Sequence, residues 1–150
     1  MDWFGPTSLP LMQEQAEVNG CELRDNSKAC PCCEQDGHGS PCSPASKLIC
    51  APIQEERAKV KAASPIGYVT VDDPPFLIEY GTQDCEVPYQ QSQLLHEALV
   101  NAIGSERATL VLLPAGHGVA EESSDPFNNE KNIDLVLDFF DRCLKPASAK

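Results

Sequence analysis

Asp84 and His117 are the residues of this 150-residue chain whose types and surroundings could do chemistry together. Each lies four residues beyond the end of a short apolar run, Phe76–Tyr80 for the acid and Ala108–Leu113 for the histidine. Each is reached through a turn containing glycine, Gly81 in one case and Gly116 in the other. An imidazole so placed can take a proton from a nucleophile, while a carboxylate fixes its tautomer and stabilises the imidazolium. Taken alone, an Asp after a strand is an ordinary turn or cap residue. His117 carries more information, because Gly116 and Gly118 on either side let the backbone turn expose the ring. His96, amid Gln, Ser and Glu in mid-helix, reads as a solvated side chain, and His38 has only a weak metal case.

The elements that must position this pair are legible between residues 64 and 150. Phe76–Tyr80 and Ala108–Leu113 are predominantly apolar, as buried strands are. Between them Leu94, Leu95, Ala98, Leu99, Ala102 and Ile103 form an i, i+4 stripe, which predicts a helix over 88–103 closed by Gly104. Asn128 or Asn129 can cap a last helix with Ile133, Val136, Leu137, Phe140 and Leu144 on one face. The order strand, helix, strand, helix predicts an α/β fold with a parallel sheet covered on both faces, and both candidates at the carboxyl ends of its strands.

Residues 1–63 read as a loop-rich segment of the same domain, on the cover side of the site. Residues 19–47 lack sustained apolar periodicity and predict an irregular loop, whereas 54–63 predicts a short helix stopped by Ser64-Pro65. Six cysteines lie here: Cys21, Cys30, Cys32, Cys33, Cys42 and Cys50; Cys85 and Cys143 stand alone. Cys30, Cys32, Cys33, His38 and Cys42, with Cys21 and Cys50 outside them, admit a tetrahedral zinc site; one or two local disulfides or plain thiols are the other readings of the cluster.

The formal charge of −12 and pI near 4.5 set the surface against polyanions, so neither nucleic acid nor an anionic membrane is an expected partner. No apolar run approaches the ~20 residues of a membrane helix, and Met1-Asp-Trp-Phe-Gly-Pro6 is not a signal peptide, which leaves the compartment unassigned.

Several consecutive segments resemble the C-terminal portion of α/β-hydrolase serine esterases and lipases, in the group that includes the bacterial bifunctional deacetylase/feruloyl esterases. They are Ser64-Pro-Ile-Gly-Tyr-Val69, Asp73-Pro-Pro-Phe-Leu-Ile78, Gly81-Thr-Gln-Asp84, Val87-Pro-Tyr-Gln-Gln-Ser92 and Ala115-Gly-His-Gly118. Asp2-Trp-Phe-Gly-Pro-Thr7, Ser43-Pro-Ala-Ser-Lys-Leu-Ile49 and Pro52-Ile-Gln-Glu55 resemble that family's segment after its sixth strand. The resemblance covers most of the chain apart from 19–42. It implies a serine hydrolase of carboxylic esters with a small-molecule substrate and no metal or organic cofactor. Asp84 matches the triad acid and His117 the triad base, in the chain order acid then histidine. The segment near Trp3 and Phe4 would lie close to the acyl pocket.

The sequence departs from the family in its Cys-rich stretch and in two chemical respects. It has no G-x-S-x-G and no oxyanion-type His-Gly-Gly segment before a helix, since Gly37-His-Gly39 falls in the Cys-rich stretch. Acid and base without a nucleophile should be nearly inert. The expectation is therefore a C-terminal part of an esterase, with Met1 internal to a longer protein that supplies the serine. Two other readings stand beside it: an inactive truncated hydrolase that pairs an exposed sheet edge with a partner or itself, and a thiol or zinc module at 21–50.

Overall fold

The computed structural model describes residues 1–22, 37–118 and 125–145. Its centre is a parallel sheet of three strands in the order β1-β2-β3. The strands are β1 (Asp2–Trp3), β2 (Phe76–Gly81) and β3 (Ala108–Leu113). β2 and β3 pair along their whole length, Phe76 opposite Ala108 through Gly81 opposite Leu113. β1 aligns Asp2 with Ile78 and Trp3 with Glu79, making β2 the inner strand. Both long strands fall where the apolar runs place them. β1 is a third strand beyond the two that the apolar runs predict.

The crossover from β2 to β3 is helix α4 (Gln90–Ile103), which begins two residues later than its sequence boundary. Gly104, at φ +88°, ends it. Leu95 and Leu99 of α4 pack with Ile78 and Ala108 on one face of the sheet. Tyr80, two residues along β2 and so on the same face, joins a second cluster with Leu9, Met12, Ile49, Ile53, Val60 and Val87. That cluster binds three short helices to the carboxyl end of β2: α1 (Met12–Val18), α2 (Pro44–Ile49) and α3 (Arg57–Ala63). Residues 19–47 are thus not irregular throughout. Ser43 caps α2 by accepting the Ser46 N–H at 3.2 Å, and Pro44 occupies the first turn. The predicted helix over 54–63 begins at Arg57.

On the opposite face lies helix α5 (Glu130–Leu144), capped by Asn129, whose side chain accepts the Asn132 N–H at 3.0 Å. The stripe predicted from its apolar residues is not its buried face. Asn132 and Phe139 are buried, whereas Ile133, Leu137, Phe140 and Leu144 are exposed. The chain offers that stripe no element to pack against among the described residues. α5 is instead held by a polar contact. The fully buried Glu79 carboxylate accepts Trp3 Nε1–H at 2.6 Å and Asn132 Nδ2–H at 3.2 Å, both on Oε2. One buried acceptor thereby joins β1, β2 and α5. Asn132→Ala should leave this carboxylate a single donor and cost about 1–3 kcal/mol of stability in urea unfolding. An unchanged midpoint would show that solvent replaces the amide.

Cys21 and Cys85 form a disulfide spanning 64 residues of sequence, with Cα atoms 5.4 Å apart. In chain-entropy terms a loop of that length stabilises the fold by about 4 kcal/mol. The bond corrects two expectations: Cys85 does not stand alone, and the disulfide of Cys21 is long-range rather than local. Cys42 is disulfide-bonded as well, and Cys50 and Cys143 are exposed free thiols. Cys30, Cys32 and Cys33 lie outside the described residues. Of the zinc reading's thiols, Cys42 is therefore oxidised and not available as a thiolate ligand. Among the described residues no group of three His, Cys, Asp or Glu side chains is placed to hold a metal.

Candidate functional site

β2 and β3 run parallel and end side by side, so the turns that follow them leave the same edge of the sheet. The pairing does not stop with the strands. Thr82 N–H donates to Leu113 O at 2.8 Å and Gln83 N–H to Ala115 O at 2.9 Å, fastening one turn to the other. Gly81 lets them approach. A β-carbon there would overlap the carbonyl oxygens of Ala115 and Gly116 and lie 2.8 Å from the Ala115 carbonyl carbon.

Asp84 stands at the end of the first turn with its side chain fully buried. Its Oδ1 accepts the N–H groups of Glu86 (2.8 Å) and Val87 (2.9 Å), an Asx-type arrangement that orients the carboxylate. Its Oδ2 lies 2.8 Å from His117 Nδ1. The imidazole is partly exposed, at 38% of its side-chain surface. Since Oδ1 is already occupied by backbone donors, an ionised Asp84 is a pure acceptor on Oδ2, which places the neutral ring's proton on Nδ1 and its lone pair on Nε2. The result is an imidazole with a fixed tautomer, held from behind and partly exposed.

Aromatic rings wall the imidazole. Phe4 lies 5.2 Å from the His117 ring centroid, 4.9 Å from that of Phe127 and 5.6 Å from that of Tyr80. Trp3 meets Phe127 edge-on at 6.4 Å. Phe4 takes φ +57°, a left-handed conformation uncommon for a bulky residue, which turns its ring onto the histidine from the end of β1. The Tyr80 hydroxyl is buried without a hydrogen-bond partner among the described residues. Burial first, then the Asp84 and Asp2 carboxylates, push its pKa far upward, so it stays protonated and is no candidate base.

Of the remaining sequence candidates, neither joins this pair. His96 is not simply solvated, since its Nε2 lies 3.3 Å from Ala108 O on the helix side of the sheet. His38 is buried in the N-terminal part. The features that sequence reasoning missed are Phe127, the Gly81 approach and the disulfide at Cys85. Only the last left a trace, a cysteine directly after the candidate acid.

A parallel sheet with an acid after one strand and a histidine after the next has the α/β-hydrolase type of fold, and solved esterases share it. The chain is similar to a truncated form of a carbohydrate esterase from gut microbiota at 31% identity and a TM-score of 0.65, over 94% of this chain and 40% of that one. It is similar to a bifunctional GH43-CE of Bacteroides eggerthii at 25% identity and a TM-score of 0.66, over 96% of this chain and 16% of that one. The BD-FAE family profile matches residues 1–99, and the chain belongs to that family. Over 56 residues it is 43% identical to Esterase LipC of Mycobacterium tuberculosis (strain ATCC 25618 / H37Rv), which is 37% of this chain and 14% of the relative. The chain spans less than half the length of each of these proteins.

Proposed function

We propose that this chain is the acid–base part of a serine hydrolase of carboxylic esters, with Asp84 as triad acid, His117 as triad base and the nucleophilic serine on a segment outside these 150 residues. The observation that carries the reading is the 2.8 Å Asp84–His117 contact, with Nε2 free of partners among the described residues. The family and the names of its neighbours support ester hydrolysis, and the carbohydrate esterase among them favours acyl esters of a carbohydrate as the substrate class. The exposed α5 stripe fits a chain with further polypeptide to pack against.

In this scheme His117 Nε2 takes the proton of the serine hydroxyl as its oxygen attacks the ester carbonyl. The imidazolium then returns the proton to the leaving alcohol, and an acyl-serine remains. Water, deprotonated by the same Nε2, releases the acid and restores the serine. Asp84 keeps the ring in register throughout and stabilises the imidazolium without itself taking the proton. Phe4 and Trp3, backed by the buried Phe127, give the acyl or alcohol group an apolar surface.

The test begins with the reading frame ahead of the Met1 codon. A strand, a G-x-S-x-G and a helix encoded in frame are expected there. The polypeptide expressed from that frame should react with a fluorophosphonate, which labels activated serines, and should hydrolyse p-nitrophenyl acetate; residues 1–150 alone should do neither. An interrupted frame with no such segment, or an unlabelled full-frame product, would overturn the proposal and favour the inactive interaction module.

A further inference from the structure

Cys85 occupies the one position between the acid and the backbone that holds it. Its neighbours are Asp84 and Glu86, and the Glu86 and Val87 N–H groups are the donors to Asp84 Oδ1. The turn from 82 to 89 has no helix or strand of its own. At its front it is tied to the histidine turn by the Thr82 and Gln83 N–H groups. Behind the acid, the covalent tie is the bond from Cys85 to Cys21. Cys21 is itself fixed, since its N–H donates to Ala16 O at 3.0 Å in the last turn of α1. That end of α1 is joined to the start of α4 by Asn19 and Gln90, which exchange hydrogen bonds of 3.0 and 2.6 Å, and by Gln91 donating to Gln15 at 2.5 Å. Gln91 Oε1 also accepts the N–H groups of Thr7 and Ser8, just after Phe4 and Gly5. The disulfide therefore runs from the acid turn into a network that also reaches the segment walling His117.

We propose that the Cys21–Cys85 disulfide is a positioning element for the Asp84 carboxylate, so that the Asp84–His117 pair is assembled in the oxidised chain and loosened in the reduced one. The proposal rests on the acid–base reading of that pair given above. A dithiol reductant would operate the change. Its two thiols become a disulfide as the Cys21–Cys85 bond breaks, and the two electrons and two protons go to the cysteine sulfurs. Freed behind, the turn samples orientations in which Oδ2 no longer faces Nδ1, and the imidazole loses its fixed tautomer. The residue acts through Asp84 and touches no reacting atom.

The experiment reads the His117 tautomer by imidazole 15N NMR in the 150-residue chain, assigned with His117→Gln, well below the lowest melting midpoint. The oxidised wild type should show a single species protonated on Nδ1. Excess dithiothreitol, Cys21→Ser and Cys85→Ser should each give a mixture of tautomers; the serine variants leave the bond of Cys42 intact. Asn19→Ala, which loosens α1 but keeps the disulfide, should lower the melting midpoint without changing the tautomer. In the serine-bearing polypeptide, Cys85→Ser should lower kcat about 10- to 100-fold with KM little changed. A reduced, folded chain that keeps the single Nδ1–H species overturns the positioning role, as does a tautomer change in Asn19→Ala equal to that in Cys85→Ser. If the serine variants unfold, the packed pair Cys21→Ala with Cys85→Val replaces them, and its unfolding too would show a staple of the whole fold. An oxidised chain lacking the Nδ1–H species overturns the acid–base reading, and the proposal with it.

Discussion

His117→Gln is expected to abolish ester hydrolysis in the serine-bearing polypeptide, lowering kcat about 10⁴- to 10⁶-fold while KM moves little. The magnitude follows from what Nε2 does. Without it the serine hydroxyl attacks at its ordinary, weak nucleophilicity and the leaving alcohol departs without a proton. Asp84→Asn should come close, at about 10⁴-fold, for a reason the geometry makes specific. The Asn carbonyl oxygen can replace Oδ1 and keep both N–H bonds from Glu86 and Val87. The amide nitrogen then stands where Oδ2 lies 2.8 Å from His117 Nδ1. A donor facing Nδ1 selects the opposite tautomer, with the proton on Nε2, and the base is lost while the turn survives. The double variant should be no slower than His117→Gln alone, because the two residues act as one unit. Stopped-time hydrolysis of p-nitrophenyl acetate, with unfolding curves as controls, measures all three. A well-folded Asp84→Asn protein retaining more than about a tenth of its rate would remove Asp84 from the proposed triad.

The two long strands and the helix between them were legible because their signal is local. An apolar run of strand length marks β2 and β3, and a 3.6-residue stripe marks α4. That same pattern put Asp84 and His117 beyond two strand ends, and parallel pairing then brought them together. β1 could not be read in this way. Asp2 and Trp3 are a strand only because β2 offers them an edge, and two residues carry no period. Helices α1 and α2, of seven and six residues, are likewise too short for a stripe, although Ser43-Pro44 is a start signal of the ordinary kind. α5 shows the opposite limit. Its stripe is clear, but a stripe says that a helix wants a partner and not that this chain supplies one, and the contact made is through Asn132 to a buried carboxylate. Cysteine count alone does not give connectivity, so the bond from Cys21 across 64 residues to Cys85 was out of reach of spacing.

Gly81→Ala is expected to separate the fold from the site. The added methyl meets backbone, the carbonyl oxygens of Ala115 and Gly116, rather than the end of a side chain that could swing away. Relief requires the histidine turn to move back from β2, against the bonds from Thr82 and Gln83 that draw it in. Overpacking of this kind costs about 1–3 kcal/mol, which the sheet and its two clusters on the helix side can survive. The Asp84–His117 contact has less tolerance. At 2.8 Å it lies near the optimum for a charge-assisted bond, and displacement of one turn by about 1 Å breaks it. A misplacement of that size costs roughly 100-fold in rate. The chain carrying Gly81→Ala should therefore melt cooperatively at a lower temperature, yet at a temperature where it is fully folded its His117 ring should show both tautomers. Thr82→Ala is the matched control, because it removes only the 3.3 Å hydroxyl bond to Leu113 O and leaves the backbone ladder intact. Equal tautomer mixtures in the two variants would mean that general loosening, and not the closeness of the two turns at Gly81, governs the pair.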